Sequence, residues 1–301
     1  MNQKRYIFAF LSAAAILVFS MVAVSALSGS AEMDIVSFPV ETLILFYGFV
    51  ALIYAASAIL WQLFSSTSES AARRTAKEAV LDTGLIAIGK YVPGKIWGIF
   101  ARGAISRGGI SMSKSSIAVS SFEQAYILVL GVFLAASLML FQGISLLSAW
   151  ILLPVLMAII CAPTLLRKYK DRWPALTLIP KFSAGKATLL VIGYLILWIL
   201  TSMPVLTLLA SQHDLTIAQV IDVVTAFTGA MLAGWIALFA PGGVGIREAA
   251  FATAAPEWLS WQQGLFWIAT HRFLYTFFDI VFGGISLFIL ARDIRGAQTN
   301  A

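Results

Sequence analysis

An all-α integral membrane protein is the fold this sequence predicts, and three observations carry it. Apolar residues make up 60% of the chain and charged residues only 11%, with a mean hydropathy of +0.91 over 301 residues. No soluble domain of this size keeps such a balance in solution. Several apolar runs reach about twenty residues or more, the length that spans a bilayer core as a helix, whereas a membrane barrel would show short alternating segments. Basic residues gather at the ends of those runs and in the short connections, so the net charge of +6 reads as the positive-inside pattern and not as a nucleic-acid surface. These features predict a single transmembrane domain over 1–301, with about seven transmembrane helices plus re-entrant or broken half-helices. The longest polar connections, Ser65 to Glu78 and Arg167 to Lys186, are too short to bury a soluble core. The one cysteine, Cys161, excludes an intramolecular disulfide and a thiol metal cluster, and reads as a small core residue.

Taken in order, Asn2-Gln3-Lys4-Arg5 precedes the apolar run Tyr6 to Leu27. That run is long for a signal sequence, despite a peptidase-like Val24-Ser25-Ala26, and predicts a retained first helix with a cytoplasmic amino terminus. Glu32 and Asp34 follow on the outer side, and Val40 to Phe64 returns. Ser65 to Glu78, with Ser68 as cap and Arg73, Arg74 and Lys77, reads as an interfacial amphipathic helix. Ala79 to Ala104 has basic residues at and beyond both ends, which predicts a re-entrant hairpin. Ser115 to Phe141 and Ile144 to Leu166 form an out-and-back pair turning at Gln142-Gly143, and Arg167, Lys168, Lys170, Arg172, Lys181 and Lys186 mark the strongest cytoplasmic loop. Thr188 to Ala210 crosses outward, Gln212-His213-Asp214 is the outer turn, and Thr216 to Phe239 comes back. The run Leu259 to Ala291 ends at Arg292-Asp293-Ile294-Arg295, which favours a cytoplasmic carboxyl terminus in an inner membrane. That parity makes Val244 to Pro256 regain the outer side with only about 20 Å of helix against a core of about 30 Å, so the pair around Pro241 is discontinuous or re-entrant. Trp150, Trp258 and Trp261 fit interfacial anchors, and Gly229, Ala230, Ala233 and Gly234 a helix-packing stripe.

Two places break the apolar pattern with Pro-Gly beside positive charge: Gly89-Lys90-Tyr91-Val92-Pro93-Gly94-Lys95, and Ala240-Pro241-Gly242-Gly243-Val244-Gly245-Ile246-Arg247-Glu248. Proline removes a donor and glycine frees the backbone, so each is expected to join two half-helices at a break that protein or a wet cavity must satisfy. A half-helix starting at Gly94, and another near Val244, would present unpaired amides beside Lys95 and Arg102 or beside Arg247. Amides and cations inside a bilayer make an anion site, and a lipid phosphate is the anion most available there. Gly84 to Tyr91 falls one residue short of a phosphate-binding P-loop, but Tyr91 replaces the magnesium-binding hydroxyl and no strand precedes it. With only His213 and His271, histidine catalysis is poorly supplied, and no metal or cofactor motif occurs.

Ionisable residues in apolar surroundings should be paired or face a cavity. Arg272, Tyr275 and Asp279 share one helical face, and Arg272 admits two readings, a structural ion pair or a substrate contact. Glu123, beside Gln124, and Asp222 near a helix start read first as interhelical hydrogen bonds or interfacial groups, and together with Asp279 and Glu248 as counter-charges or proton-coupling groups.

Gly89 to Trp97 and Pro241 to Ala249 resemble the two signature segments of the lysylphosphatidylglycerol synthase transmembrane-region family, the flippase-like membrane half of the multiple peptide resistance factor. The likeness covers roughly Val40 to Ala291. It implies a polytopic helical fold that moves anionic or glycosylated lipids, and puts functional weight on Lys90, Pro93, Gly94, Lys95, Pro241, Gly242, Gly243, Gly245, Arg247 and Glu248. Two-part members make the lipid with a cytoplasmic aminoacyl-transferase domain, which the residues after Arg295 do not supply, so this chain is not expected to synthesise lysyl-lipid itself.

The expected function is therefore non-enzymatic: a lipid translocase holding a phosphate headgroup of a phospholipid or polyprenyl lipid against Lys90, Lys95 and Arg247 with Arg272 assisting. The two halves, 1–166 and 167–301, would be arranged as an inverted repeat with one break each. A second reading is a membrane subunit that partners a lipid-modifying glycosyltransferase or aminoacyl-transferase. A third, an integral-membrane transferase or hydrolase with Glu123 or Glu248 as base, lacks a recognisable nucleophile.

Overall fold

A computed structural model of the chain describes residues 38–66, 74–92, 96–104, 109–143, 152–169, 182–237 and 239–299, with isolated positions 14 and 172. The first apolar run, Ser68, Trp150 and the Pro93-Gly94-Lys95 stretch lie outside the described residues. Every regular element among those described is helical: α1 (Val40–Ser65), α2 (Ala76–Gly89), α3 (Trp97–Ala104), α4 (Gly109–Gly143), α5 (Leu152–Arg167), α6 (Ala184–Ala210), α7 (Ile217–Ile236), a 3-10 turn (Pro241–Gly243), α8 (Ile246–Thr253) and α9 (Trp261–Thr299). Five of them, α1, α6, α7 and the apolar parts of α4 and α9, are long and apolar enough to cross a membrane.

Local chemistry sets the helix starts. Thr75 caps α2 through Glu78 and Thr216 caps α7 through Gln219, each as a reciprocal capping box, while Ser183 caps α6 through the Lys186 amide. Ser65 closes α1 and Thr75 caps α2, while the middle of the expected interfacial helix over Ser65 to Glu78, residues 67–73, lies outside the described residues. Gln142 and Gly143 are helical within α4 and not a tight turn, because no Pro or polar cluster stops the helix there. Cys161 is exposed on α5 and not in the core, since on a lipid-facing surface a thiol needs no burial. The P-loop-like Gly84 to Gly89 is helix.

Contacts at the two ends of the bundle fix the course of the broken elements. At one end Lys77 meets Asp293 near the end of α9, at 2.8 Å, and the Gln62 side chain donates to the Arg74 carbonyl. At the other, His213 between α6 and α7 packs against Trp258 and Trp267, with ring centroids 5.5 and 6.2 Å apart. α2 starts at the first end and α8 runs back toward the second, and their tips meet midway along α9, at Arg272 and Asp279. α2 and α3 form one hairpin, and α7 and α8 form another that enters from the opposite end. Glycine permits the tightness of the first: a methyl at Gly89 would lie 2.5 Å from the Gly98 nitrogen.

The core is aromatic and divided. Phe46, Phe227, Phe251, Phe266 and Trp267 fill the α1/α7/α8/α9 side, and Trp61, Phe64, Leu130 and Tyr194 the α1/α4/α6 side. The opposite helix faces expose Ile44, Ile192, Ile196, Phe277 and Phe288, an apolar surface suited to lipid.

Candidate functional site

Between the two cores lies a cavity of about 210 Å³, lined from both breaks by Lys90, Tyr91, Gly242, Arg247 and Glu248, and from α9 by His271, Arg272, Tyr275 and Asp279. It continues past Arg102, Glu123, Tyr194, Trp198 and Trp235.

The breaks touch directly. α2 ends at Gly89, and the carbonyl of the next residue, Lys90, accepts the Gly242 amide at 2.9 Å. Gly242, Gly243 and Gly245 adopt φ of 58°, 76° and 78°, a left-handed path that side chains disfavour, and this turns the chain from α7 into α8. Arg272 clamps the junction: its Nη2 donates to the Gly242 carbonyl at 2.9 Å and its Nη1 to Glu248 Oε1 at 2.7 Å. Of the two sequence readings, the ion pair is therefore formed, and Arg272 also lines the cavity. The amides of the turn itself, Gly242, Gly243 and Val244, are taken by the carbonyls of Lys90, Ala240 and Pro241, whereas α8 starts at Ile246 without a side-chain cap, so the first amides of the expected half-helix are those beside Arg247.

Asp279, fully buried, organises the other half of the junction. Its Oδ2 receives Lys90 Nζ at 2.6 Å and the Tyr91 hydroxyl at 2.5 Å, and its Oδ1 receives the Tyr54 hydroxyl. Tyr91 also reaches Thr276 Oγ1 at 3.1 Å. The Lys90 ammonium lies 5.1 Å from the centre of the Tyr275 ring, a further cation contact.

Arg247 differs from these cations. It is half-buried, its stem runs over Gly234 of α7 and against Gly243, and among the described residues its guanidinium is in no ion pair. Its Nε is enclosed without a hydrogen-bond partner.

The far wall is a buried ionic network. Arg102 Nη1 holds Glu123 Oε2 at 2.5 Å and Ser120, Glu123 Oε1 accepts the Tyr194 hydroxyl at 2.8 Å, and the Arg102 guanidinium lies 4.1 Å from the Trp61 ring centre. Arg74 pairs with Asp82 at 3.1 Å and donates to the Arg102 carbonyl, so α3 is fastened to α2 and α4 together. Glu123 is an interhelical counter-charge, in line with its plainer reading.

Of the residues the sequence singled out, Lys90, Gly242, Arg247, Glu248, Arg272, Glu123 and Asp279 line one cavity. Pro241, Gly243 and Gly245 shape the turn behind it. Asp222 is in the second turn of α7, half-buried and away from the cavity wall. Pro93, Gly94 and Lys95 lie outside the described residues. Sequence reasoning missed Tyr54, His271 and Asp82 as site or network residues. Asp82, a carboxylate inside an apolar stretch, offered a signal; Tyr54, one aromatic on an apolar helix, and His271, seen only as a lone histidine, did not. Compared with protein families, with curated proteins and with solved structures, the chain matches none.

Proposed function

We propose that this chain is a flippase-like lipid translocase of the lysylphosphatidylglycerol synthase transmembrane-region type, carrying the phosphate-bearing headgroup of a lipid past a central cavity while its tails stay in the bilayer. The observation that carries this reading is the position of Arg247: a charged guanidinium outside any described ion pair, facing a cavity where two broken elements entering from opposite ends meet. A fixed cation at mid-depth is costly unless a counter-ion visits it. The opposed hairpins also support an inverted arrangement of the halves 1–166 and 167–301, with about seven crossings and both termini in the cytoplasm of a cell whose inner membrane holds the protein. The chain is read as a carrier and not as an enzyme, since each cavity carboxylate is bound by a cation and so is poorly placed as a general base.

Reconstitution into vesicles with fluorescent phospholipids tests the proposal. Wild-type protein is expected to speed leaflet exchange and Arg247→Ala to lose that gain. Equal exchange in wild type, variant and protein-free vesicles would remove it.

A further inference from the structure

Phosphate occurs on membrane lipids either as a diester with one negative charge or as a monoester or diphosphate with more, about −1.5 to −2 for a monoester near neutral pH. Building on the headgroup site proposed above, we infer that this cavity selects a phosphodiester of one negative charge whose headgroup also offers a neutral hydrogen-bond donor such as a hydroxyl.

Charge matching gives the first half. The described lining residues include four cations, Lys90, Arg102, Arg247 and Arg272, and three carboxylates, Glu123, Glu248 and Asp279. The carboxylates are taken by Arg102, Arg272 and Lys90 at 2.5 to 2.7 Å. Among the described residues Arg247 is left, and one negative charge neutralises it. A second would sit unpaired in a poorly solvated space, where an uncompensated ion is strongly disfavoured. The planar guanidinium also suits the two free oxygens of a diester as a fork through its terminal nitrogens, Nε being enclosed against Gly234 and Gly243.

Hydrogen bonding gives the second half. Glu248 is only 7% exposed; its Oε1 is used by Arg272, but its Oε2 has no partner among the described residues. An ionised carboxylate oxygen can only accept, so a headgroup that reaches it has to donate to it. An ammonium would do so, but would cancel the phosphate charge and leave Arg247 unmatched. A hydroxyl donates without that cost. Arg272 Nε and His271 Nε2, also enclosed and unpartnered among the described residues, belong to the same wall and can hold further oxygens of the headgroup.

Thermal unfolding of the purified full chain in dodecyl maltoside micelles tests this, with four probes: dioleoyl phosphatidylglycerol (diester with hydroxyls), dioleoyl phosphatidylmethanol (diester without), dioleoyl phosphatidate (monoester) and farnesyl diphosphate. Phosphatidylglycerol is expected to raise Tm most and phosphatidylmethanol less, with little effect from the other two. Arg247→Gln should lose the phosphatidylglycerol shift and Arg247→Lys keep part of it. The inference is overturned if phosphatidate or the diphosphate stabilises as much as phosphatidylglycerol, if phosphatidylmethanol equals it, if no probe shifts Tm, or if Arg247→Gln responds like wild type. The wild-type series decides even if a variant does not fold. Leaflet exchange is measured separately: the expected binding order without exchange removes the translocase reading and leaves the selectivity standing, whereas exchange with no binding order does the reverse.

Discussion

The amide of Gly242 donates to the carbonyl of Lys90 at 2.9 Å, so one backbone bond joins the tips of two elements that enter the bundle from opposite ends. The space around it is closed. A methyl at Gly242 would lie 2.9 Å from Arg272 Nη2 and 3.1 Å from the Tyr91 ring, on a residue already at φ 58°. Gly242→Ala therefore combines backbone strain of about 1–3 kcal/mol with a displaced clamp. At Gly245, φ is 78° but nothing stands within 4 Å of the added carbon, so Gly245→Ala carries the strain alone. Thermal unfolding of the purified protein should order the two as Gly242→Ala below Gly245→Ala below wild type. Equal melting of the two variants would mean that the tips are not packed as described.

Asp279 predicts a coupling. Removing one partner of a buried pair costs about 3–5 kcal/mol, because the other charge is stranded, while removing both costs far less. Asp279→Asn should strand Lys90 and lower stability strongly, and Lys90→Met in the same chain should restore part of the loss. A double-mutant cycle on denaturant unfolding reads this as an interaction of about 0.5–3 kcal/mol. Purely additive effects would show that the 2.6 Å contact contributes nothing.

The breaks and the shared face of Arg272, Tyr275 and Asp279 were legible in the sequence because they are local: proline, consecutive glycines and helical spacing act within a few residues. The partners were not. Lys90 with Asp279, Glu248 with Arg272 and Arg102 with Glu123 are matched across helices, and a list of charges in apolar runs does not say which carboxylate each cation meets. Tyr54 shows why: one hydroxyl on a nearly unbroken apolar helix reads as an interfacial or core aromatic until α9 is packed beside it. The bond between the breaks was equally hidden, since the carbonyl that takes the Gly242 amide belongs to Lys90, about 150 residues away in the chain.

Gly234 sets where Arg247 can reach. A methyl there would lie 2.3 Å from Arg247 Cγ and 2.4 Å from Nε. The obstacle is a flexible side chain, and alanine favours a helix over glycine by about 1 kcal/mol, so Gly234→Ala should fold with near-normal stability. It should nevertheless push the guanidinium off its track and weaken any anion response of the site. Tm of the variant with and without phosphatidylglycerol checks this: a normal apo Tm with a lost shift supports the placement, whereas a retained shift would show that Arg247 does not need the Gly234 groove.

Two ion pairs of similar geometry should differ widely in worth. Lys77 and Asp293 meet at 2.8 Å with side chains 61% and 30% exposed, whereas Arg74 and Asp82 meet at 3.1 Å with 3% and 2%. Water and salt screen the first, and holding two long side chains together offsets the gain, so Lys77→Ala should cost less than about 1 kcal/mol. Asp82 also accepts from Trp61 Nε1 at 2.8 Å, and its Arg74 partner donates on to the Arg102 carbonyl, so Asp82→Ala unties α1, α2 and α3 together. Loss of a buried partner of this kind costs about 3–5 kcal/mol. Unfolding of both variants at low and high salt distinguishes the cases. The Lys77 effect should fade with salt and the Asp82 effect persist, and a salt-sensitive Asp82→Ala would mean that solvent reaches the network.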